Sequence, residues 1–425
     1  MSLNEKHSPN CILVCSNFQN QRTGKEIEND LQEFELLAST LSLSVLDGLT
    51  LNLRKLSPSH YYGKGQLESL KNKINLLECR YILFNDEISP SQFKNIQKIF
   101  GEKKVVFDRT GVILEIFKNN AKTKESKYQV ELASLQYMLP RLTRQWTHLE
   151  RQMGGRGTRG GPGEKQIEID RRLIGKRITK LKNELTKIKR SRHTQSASRS
   201  SIYRVSIAGY TNAGKSSLLN ALCKPYTTYV EDKLFATLDT TTRNISLAKN
   251  QNVLITDTVG FIKNLPHDLV ASFRSTFEEV SQSNLVVVLV DSSSNRSVIK
   301  EHIDTISSTL NSLDIKIKHQ LLVFNKIDQI ENKEKIVYLK KKYPESVFVS
   351  AKNHIMIEEL KKGIFDIINQ DVQTSVIRIP HSQSSMLDEV YKTFTVNSRL
   401  EEYDYVEIEI SGNPDDIDRL KEYIV

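Results

Sequence analysis

Three features of the 425-residue sequence predict a multidomain α/β protein. Short apolar runs alternate with helix-spaced patterns over residues 1–125 and again beyond residue 201. A sustained heptad stripe between these stretches marks a long helix. A glycine-bearing turn at 209–216 lies between a strand and a helix, the context of a phosphate-binding loop. One ordinary core does not serve a chain of this length, and about two to four domains are expected.

Composition narrows the class. A hydrophobic content of 38% with 26% charged residues fits a soluble globular protein. The longest apolar runs, such as "NLVVVLVD", are too short to span a bilayer, so no transmembrane segment is expected. The start "MSLNEKHSPN" has neither a signal-peptide core nor an arginine-rich amphipathic pattern, and a cytoplasmic location follows as the expectation. Cys11, Cys15, Cys79 and Cys223 show no metal-like grouping with histidines. Cys11 and Cys15 flank "ILV" and read as small hydrophobes of a buried strand in a reduced protein.

Residues 1–125 read as an N-terminal α/β domain. Its strands include "CILV" at 11–14, a run starting at Ser44, and "YILF" at 81–84, while "EFELLASTL" puts Phe34, Leu37 and Leu41 on one helical face. Residues 126–200 read as a helical hairpin and linker. Its first helix spaces Leu132, Leu135, Leu139, Leu142, Trp146 and Leu149, and Pro140 can kink it. In the second, Ile167, Ile174, Leu181 and Ile188 recur in heptads, with Ile178 and Leu185 filling the seam. Joined by a tight loop, the two make a long antiparallel hairpin with 153–165 at its tip. The polar run "SRHTQSASRS" at 191–200 reads as an interdomain linker.

The tip raises a question of its own. Gly155 to Gly160 match G-x-G-x-x-G, a dinucleotide-loop fingerprint, within a crowd of basic residues. Residues 151–200 hold 15 Lys and Arg against Glu164, Glu168, Asp170 and Glu184, an excess of +11 on a chain whose net charge is +10. The whole basic bias therefore sits in one segment. Such a local field suits a polyanion, nucleic acid first, although a solvated basic helix has the same composition. The dinucleotide reading fails on context, because a helix rather than a strand precedes the glycines.

Residues 201–371 carry the chemistry. Gly209, Tyr210, Thr211, Asn212, Ala213, Gly214, Lys215 and Ser216 satisfy G-x-x-x-x-G-K-[ST] between a strand at Val205–Ala208 and a helix at Ser217–Leu222. Glycines let successive N–H groups converge on phosphate oxygens, and the helix start adds positive dipole. Lys215 reaches the terminal phosphates, and the Ser216 hydroxyl suits Mg²⁺. Next comes "DTVGF", with Asp257, Thr258, Val259 and Gly260 in D-x-x-G spacing. Asp257 can hold magnesium through water, and the Gly260 amide can sense a γ-phosphate.

Asn325, Lys326, Ile327 and Asp328 then form N-K-x-D, whose carboxylate can accept from the ring N–H and exocyclic amine of guanine. Ser350, Ala351 and Lys352 would turn backbone amides to the guanine carbonyl. Open α/β sheets bind ligands at their carboxyl strand ends, so these motifs converge on one guanine-nucleotide pocket. Between them, "KLFATLDTTTR" offers Thr237, Thr240, Thr241 and Thr242 as candidates for a magnesium-ligating threonine. Phe261 stands where small regulatory GTPases place a water-orienting glutamine, so slow intrinsic hydrolysis, or hydrolysis completed by a docked partner, is expected. The tail, 372–425, reads as strands at "SVIRIP" and "YVEIEIS" plus a terminal helix.

"GYTNAGKSSLLNAL", "FATLD", "DTVGFIKNLPHDLVASFRSTFEE", "FNKID" and "SAK" resemble the HflX family of translational GTPases. So do "YYGKGQLE", "FNDEISPSQ", "VFDRTGVILEIF", "YQVELASLQYMLPRL" and "RGGPGEKQIEIDRR", so the resemblance spans roughly residues 10 to 370. It departs at Lys165, Ile167 and Thr240 and does not extend over the tail.

The resemblance implies a P-loop NTPase G domain at 201–371, preceded by the small α/β domain with its helical hairpin and followed by a small C-terminal α+β module at 372–425. It implies Mg²⁺ on Ser216 and Thr237, and nucleotide contact along Phe235, Ala236, Thr237, Leu238 and Asp239. Lys215, Thr237 and Gly260 are the implied catalytic residues for hydrolysis of GTP to GDP and phosphate.

The implied partner is the large ribosomal subunit and its RNA, met by a monomer whose tip residues Arg156, Arg159 and Lys165 contact RNA. Ribosome subunit dissociation or rescue under stress is the implied role. A ribosome-assembly GTPase acting on large-subunit precursors, or a signalling switch with a protein partner and no RNA contact, are the alternatives.

Overall fold

The computed structural model describes residues 9–142, 164–197, 203–223, 234–248, 251–263, 279–315, 317–370, 373–412 and 414–425. Chain contacts divide it into two compact units. One holds Met1–Lys189 together with Asp232–Leu238; the other holds Arg190–Glu231, Asp239–Lys263 and Arg274–Val425.

The first unit is built on a parallel sheet ordered β2-β1-β3-β4, from β1 (Asn10–Phe18), β2 (Ser44–Leu53), β3 (Tyr81–Phe84) and β4 (Val105–Asp108). The inner strand β1 is buried from Cys11 to Asn17, as an unbroken apolar run requires of a strand covered on both faces. Burial pushes the Cys11 and Cys15 thiols up to about 12, and all four cysteines are free. The crossovers are α1 (Gly24–Thr40), α2 (Lys64–Leu76), α3 (Pro90–Phe100) and α4 (Arg109–Asn120). Capping boxes Thr23/Glu26 and Ser89/Gln92 start α1 and α3, and Pro90 occupies the first turn of α3 where no N–H is needed.

A buried charge cluster joins this sheet to the helical pair. Asp108 caps α4 by accepting from Gly111 N at 2.8 Å, and it also accepts from Tyr137 Oη at 2.7 Å and Arg141 Nη2 at 3.2 Å. Burial raises the Asp108 pKa, with Arg141 opposing the rise. Arg141 donates a second bond to the Ile88 carbonyl at 2.7 Å. The helix expected to run through Pro140 instead ends at Met138: α5 (Lys124–Met138) gives way to a tight turn at Leu139–Arg141. Pro140 lacks the N–H that would continue the helix, and the Arg141 bonds hold the turn.

The partner helix α6 (Glu164–Ala197) buries Ile174 and Leu181 against Leu132, Leu135 and Leu142, with Ile178 and Leu185 beside them, which is the heptad seam. Arg177 pairs with Glu131 through two bonds, at 2.6 and 2.7 Å, while Lys124 acts electrostatically on Glu184, so the helices run antiparallel. Helix persists to Ala197, and residues 191–197, expected to begin the linker, are its last turns. Trp146, Leu149 and most of the tip lie outside the described residues.

The second unit carries a six-stranded sheet ordered β10-β9-β8-β5-β7-β6. Its elements are β5 (Tyr203–Gly209), α7 (Lys215–Leu222), β6 (Thr241–Ala248), β7 (Gln251–Asp257), β8 (Leu285–Asp291), α8 (Arg296–Ser312), β9 (His319–Asn325), α9 (Lys333–Lys342), β10 (Val347–Phe348) and α10 (Ile357–Gln370). All pairings are parallel except β6–β7. Successive strands depart on either side of β5, so its carboxyl end is the topological switch point, where a ligand crevice opens.

The tail forms a separate antiparallel sheet, β11-β13-β12, from β11 (Gln373–Pro380), β12 (Thr395–Glu401) and β13 (Tyr405–Gly412), with α11 (Ser385–Thr393) between the first two. The expected terminal helix is only the short α12 (Pro414–Ile417) followed by a 3₁₀ stretch, Asp418–Tyr423. No helix among the described residues is long and apolar enough to cross a membrane.

Candidate nucleotide site

The phosphate loop lies between β5 and α7. Gly214 takes φ 92, and a side chain there would collide with the Asn325 amide. The Lys215 side chain folds back into the loop and is 7% exposed, its Nζ donating to the carbonyls of Gly209 at 3.2 Å and Tyr210 at 2.9 Å. Burial pulls its ammonium down to about 8, with Asp257 opposing the fall. Gly260 packs directly on this lysine: a Cβ there would meet Lys215 Nζ and Thr211 Cα, each at 2.9 Å.

A titration follows from that lysine. A triphosphate bound in this loop would favour the charged ammonium and raise its pKa, so the free protein would take up a proton on binding once the pH exceeds about 8. Nucleotide affinity should hold steady below that pH and fall above it, by up to about tenfold per pH unit. Dissociation constants measured from about one unit below that pH to about one and a half above it check this.

The Ser216 hydroxyl donates to Asp257 Oδ2 at 2.6 Å. Asp257 closes β7 at 1% exposure and is held there by strand pairing with β6 and β5. Thr258 donates to the Ile207 carbonyl at 2.7 Å. Thr211 N donates to Phe261 O at 2.7 Å and Phe261 N to Gly209 O at 3.0 Å, so the chain after Gly260 is stitched to the phosphate loop. Phe261 is fully buried. Among the four threonine candidates, Thr241 and Thr242 lie within β6, and the Thr242 hydroxyl meets that of Thr256 at 2.9 Å. Thr237 is half-buried in the other compact unit, and Thr240 immediately precedes β6.

At the base end Asn325 acts as a tie. Its Nδ2 donates to the Ala213 carbonyl at 2.9 Å, its Oδ1 accepts from Ala351 N at 3.0 Å, and its own carbonyl accepts from Ser292 N at 2.9 Å and Ser292 Oγ at 2.5 Å. Ser350 Oγ donates to Asp328 Oδ1 at 2.5 Å, which fixes that carboxylate. Lys352 is exposed.

Sequence motifs did not single out Asp291, whose Oδ2 pairs with Lys326 Nζ at 2.8 Å, or Lys335, which donates to Ser293 O at 3.0 Å and Ser294 O at 2.6 Å. Asp291 ends the "NLVVVLVD" run, and a carboxylate closing a buried strand was the available signal. Also unforeseen is a stack of Tyr210 on His302, centroids 3.8 Å apart, with Tyr210 Oη accepting from Lys263 N at 2.7 Å.

The second unit thus brings Lys215, Ser216, Asp257, Gly260, Asn325, Asp328 and Ser350 to the carboxyl ends of neighbouring strands. Arg156 and Arg159 lie outside the described residues. Lys165 lies in α6, where only the backbone is described.

Family models match three successive stretches: "GTP-binding GTPase N-terminal" over 28–118, "GTP-binding GTPase Middle Region" over 120–199, and "50S ribosome-binding GTPase" over 204–326. The chain is 42% identical to GTPase HflX of Magnetococcus marinus over 78% of its length and 76% of that protein's. It is 37% identical to GTPase HflX of Escherichia coli K12 over 89% and 88%. A solved GDP complex of SsGBP aligns at 26% identity with a TM-score of 0.48, covering 85% of this chain and 99% of that one.

Proposed function

The chain belongs to the HflX family of GTPases, and on that footing we propose that it is a ribosome-directed switch: it binds the large ribosomal subunit in its GTP state, drives subunit separation or rescue, and is reset by hydrolysis. GTPase activity comes with the family. The observation that carries the nucleotide reading is the tie at Asn325, which joins the phosphate loop to the Ser350–Ala351 turn and so unites triphosphate and guanine recognition in one frame. The basic excess of 151–200 supports an RNA partner, as does the description of the family model over 204–326.

The geometry supports a role for each of these residues. Lys215 places a positive charge where phosphoryl oxygens gain negative charge, and the loop amides hold those oxygens in line. Ser216 points its hydroxyl proton at Asp257, which leaves its lone pairs for a hard cation, so this all-oxygen pair fits Mg²⁺. Ser216 and Thr237 would hold that ion, which when bound neutralises charge on the β- and γ-phosphates. Asp328 accepts from guanine, with Ser350 fixing its orientation.

The buried Phe261 side chain carries no hydrogen-bonding group, which leaves the orientation of the attacking water to a group supplied on docking. Splitting itself draws on binding energy, because a ligand shifts a two-state assembly only through differential affinity.

Gradient sedimentation of purified ribosomes with the protein and a non-hydrolysable GTP analogue tests this reading. Separated subunits with the protein on the large one, lost steeply as salt rises, are the expected result. Intact ribosomes, with precursor particles accumulating on depletion, would transfer the reading to assembly. Binding indifferent to salt and to replacement of Arg156, Arg159 and Lys165 would remove the RNA tip.

A further inference from the structure

Helix α8 packs through a buried stripe of Ile299, Ile306 and Leu310. His302 falls on the same face, between Ile299 and Ile306 at helical spacing. Core packing asks only for an apolar side chain at such a position. The imidazole instead lies flat on the Tyr210 ring, centroids 3.8 Å apart at 14°.

Tyr210, second in the phosphate loop, is a junction. Its carbonyl accepts from Lys215 Nζ at 2.9 Å, and its Oη accepts from Lys263 N at 2.7 Å. Its backbone bridges to Phe261, beside the bond from Thr211 N to Phe261 O at 2.7 Å. Lys263 Nζ pairs in turn with Glu301 Oε1 at 2.5 Å, on the residue before His302. Residues 260–263 are thus held between the phosphate loop and α8, all within the second compact unit.

We propose that His302 is a positioning residue for GTP hydrolysis: its ring fixes the Tyr210 ring, whose hydroxyl sets the 260–263 turn against Lys215 and the phosphate loop. The proposal rests on the nucleotide site read above and on the Gly260 amide meeting the γ-phosphate. Donors and charge must already stand where the transferring phosphoryl gains charge, so a slight loosening of the turn slows the chemical step. GDP has no γ-phosphate, and its binding should not register that loosening. A histidine that only fills the core would lower hydrolysis and GDP binding alike, or neither.

The test uses the full chain with Tyr210→Phe, which keeps the stack and loses the hydroxyl. His302→Leu keeps an apolar filling and loses the flat ring, and His302→Phe restores a ring. Three quantities are measured: single-turnover GTP hydrolysis, GDP affinity with Mg²⁺, and amide hydrogen exchange over 261–263 without nucleotide. Tyr210→Phe and His302→Leu should quicken exchange at Lys263 and slow hydrolysis about fivefold, the worth of one net hydrogen bond, with GDP affinity within about twofold. His302→Phe should stay within about twofold of the parent in all three, since aromatic stacking does not require the imidazole. Parent-like hydrolysis in His302→Leu, equal losses in hydrolysis and GDP affinity, or slowed hydrolysis without faster exchange each overturns the proposal. So does a His302→Phe protein as slow as His302→Leu. Gly260→Ala serves as the reference: if it hydrolyses GTP like the parent, the γ-phosphate contact of Gly260 is what fails, and the positioning proposal goes with it.

Discussion

Replacing Asp328 with asparagine should lower GTP affinity by about 10³-fold or more and turn the protein toward xanthosine triphosphate. In the proposed site the carboxylate accepts two donors from guanine; an amide would present its own N–H₂ to the exocyclic amine, so one hydrogen bond would become a clash of donors. Xanthine carries a carbonyl at that position and accepts what guanine repels. Ser350 Oγ now donates to Asp328 Oδ1 at 2.5 Å, and asparagine retains an oxygen to take that bond, so the loop should keep its shape. Titrations with fluorescent guanine and xanthine nucleotides decide the matter. A variant that still holds GTP within tenfold of the parent would remove Asp328 from base recognition.

The second large effect concerns Lys215→Ala. Single-turnover hydrolysis should fall by about 10²–10³-fold, since a positioned positive charge in a dry site stabilises the transferring phosphoryl far more than it would in water. Some loss of stability is also expected, because Nζ now satisfies the carbonyls of Gly209 and Tyr210, at 3.2 and 2.9 Å. Thermal melting with and without GDP separates the two contributions. Hydrolysis slowed no more than the change in melting explains would return Lys215 to a structural role.

Much of the nucleotide site was legible because its chemistry restricts both residue type and order. Gly214 must turn with φ 92, Gly260 must leave room for the Lys215 ammonium, and Asp328 must be an acceptor, so each leaves a mark in the sequence. Residues that act on other residues leave fainter marks. Asp291 bonds to Lys326 across 35 positions, and nothing local announces that pairing. Phe117 and Asn120 look like the routine end of an amphipathic helix until Phe235 arrives from more than 100 positions away.

The boundary near residue 191 was missed for a different reason. Arginine, glutamine and alanine favour helix, and an existing helix of this length extends cheaply into a polar sequence whose composition alone suggests a linker. The tail failed in the opposite direction: "DDIDRLKEYIV" has helical spacing but closes mostly as 3₁₀, with Leu420 packed on the small sheet's core.

The Asn325 tie has a consequence for how the switch is loaded in a cell. In the proposed site, guanine and the inner phosphates of GDP and GTP would meet the same parts, which the Asn325 bonds already brace to one another. On that reading GDP would compete with GTP for one braced frame, and the ratio of the two nucleotides would set how much of the protein is armed.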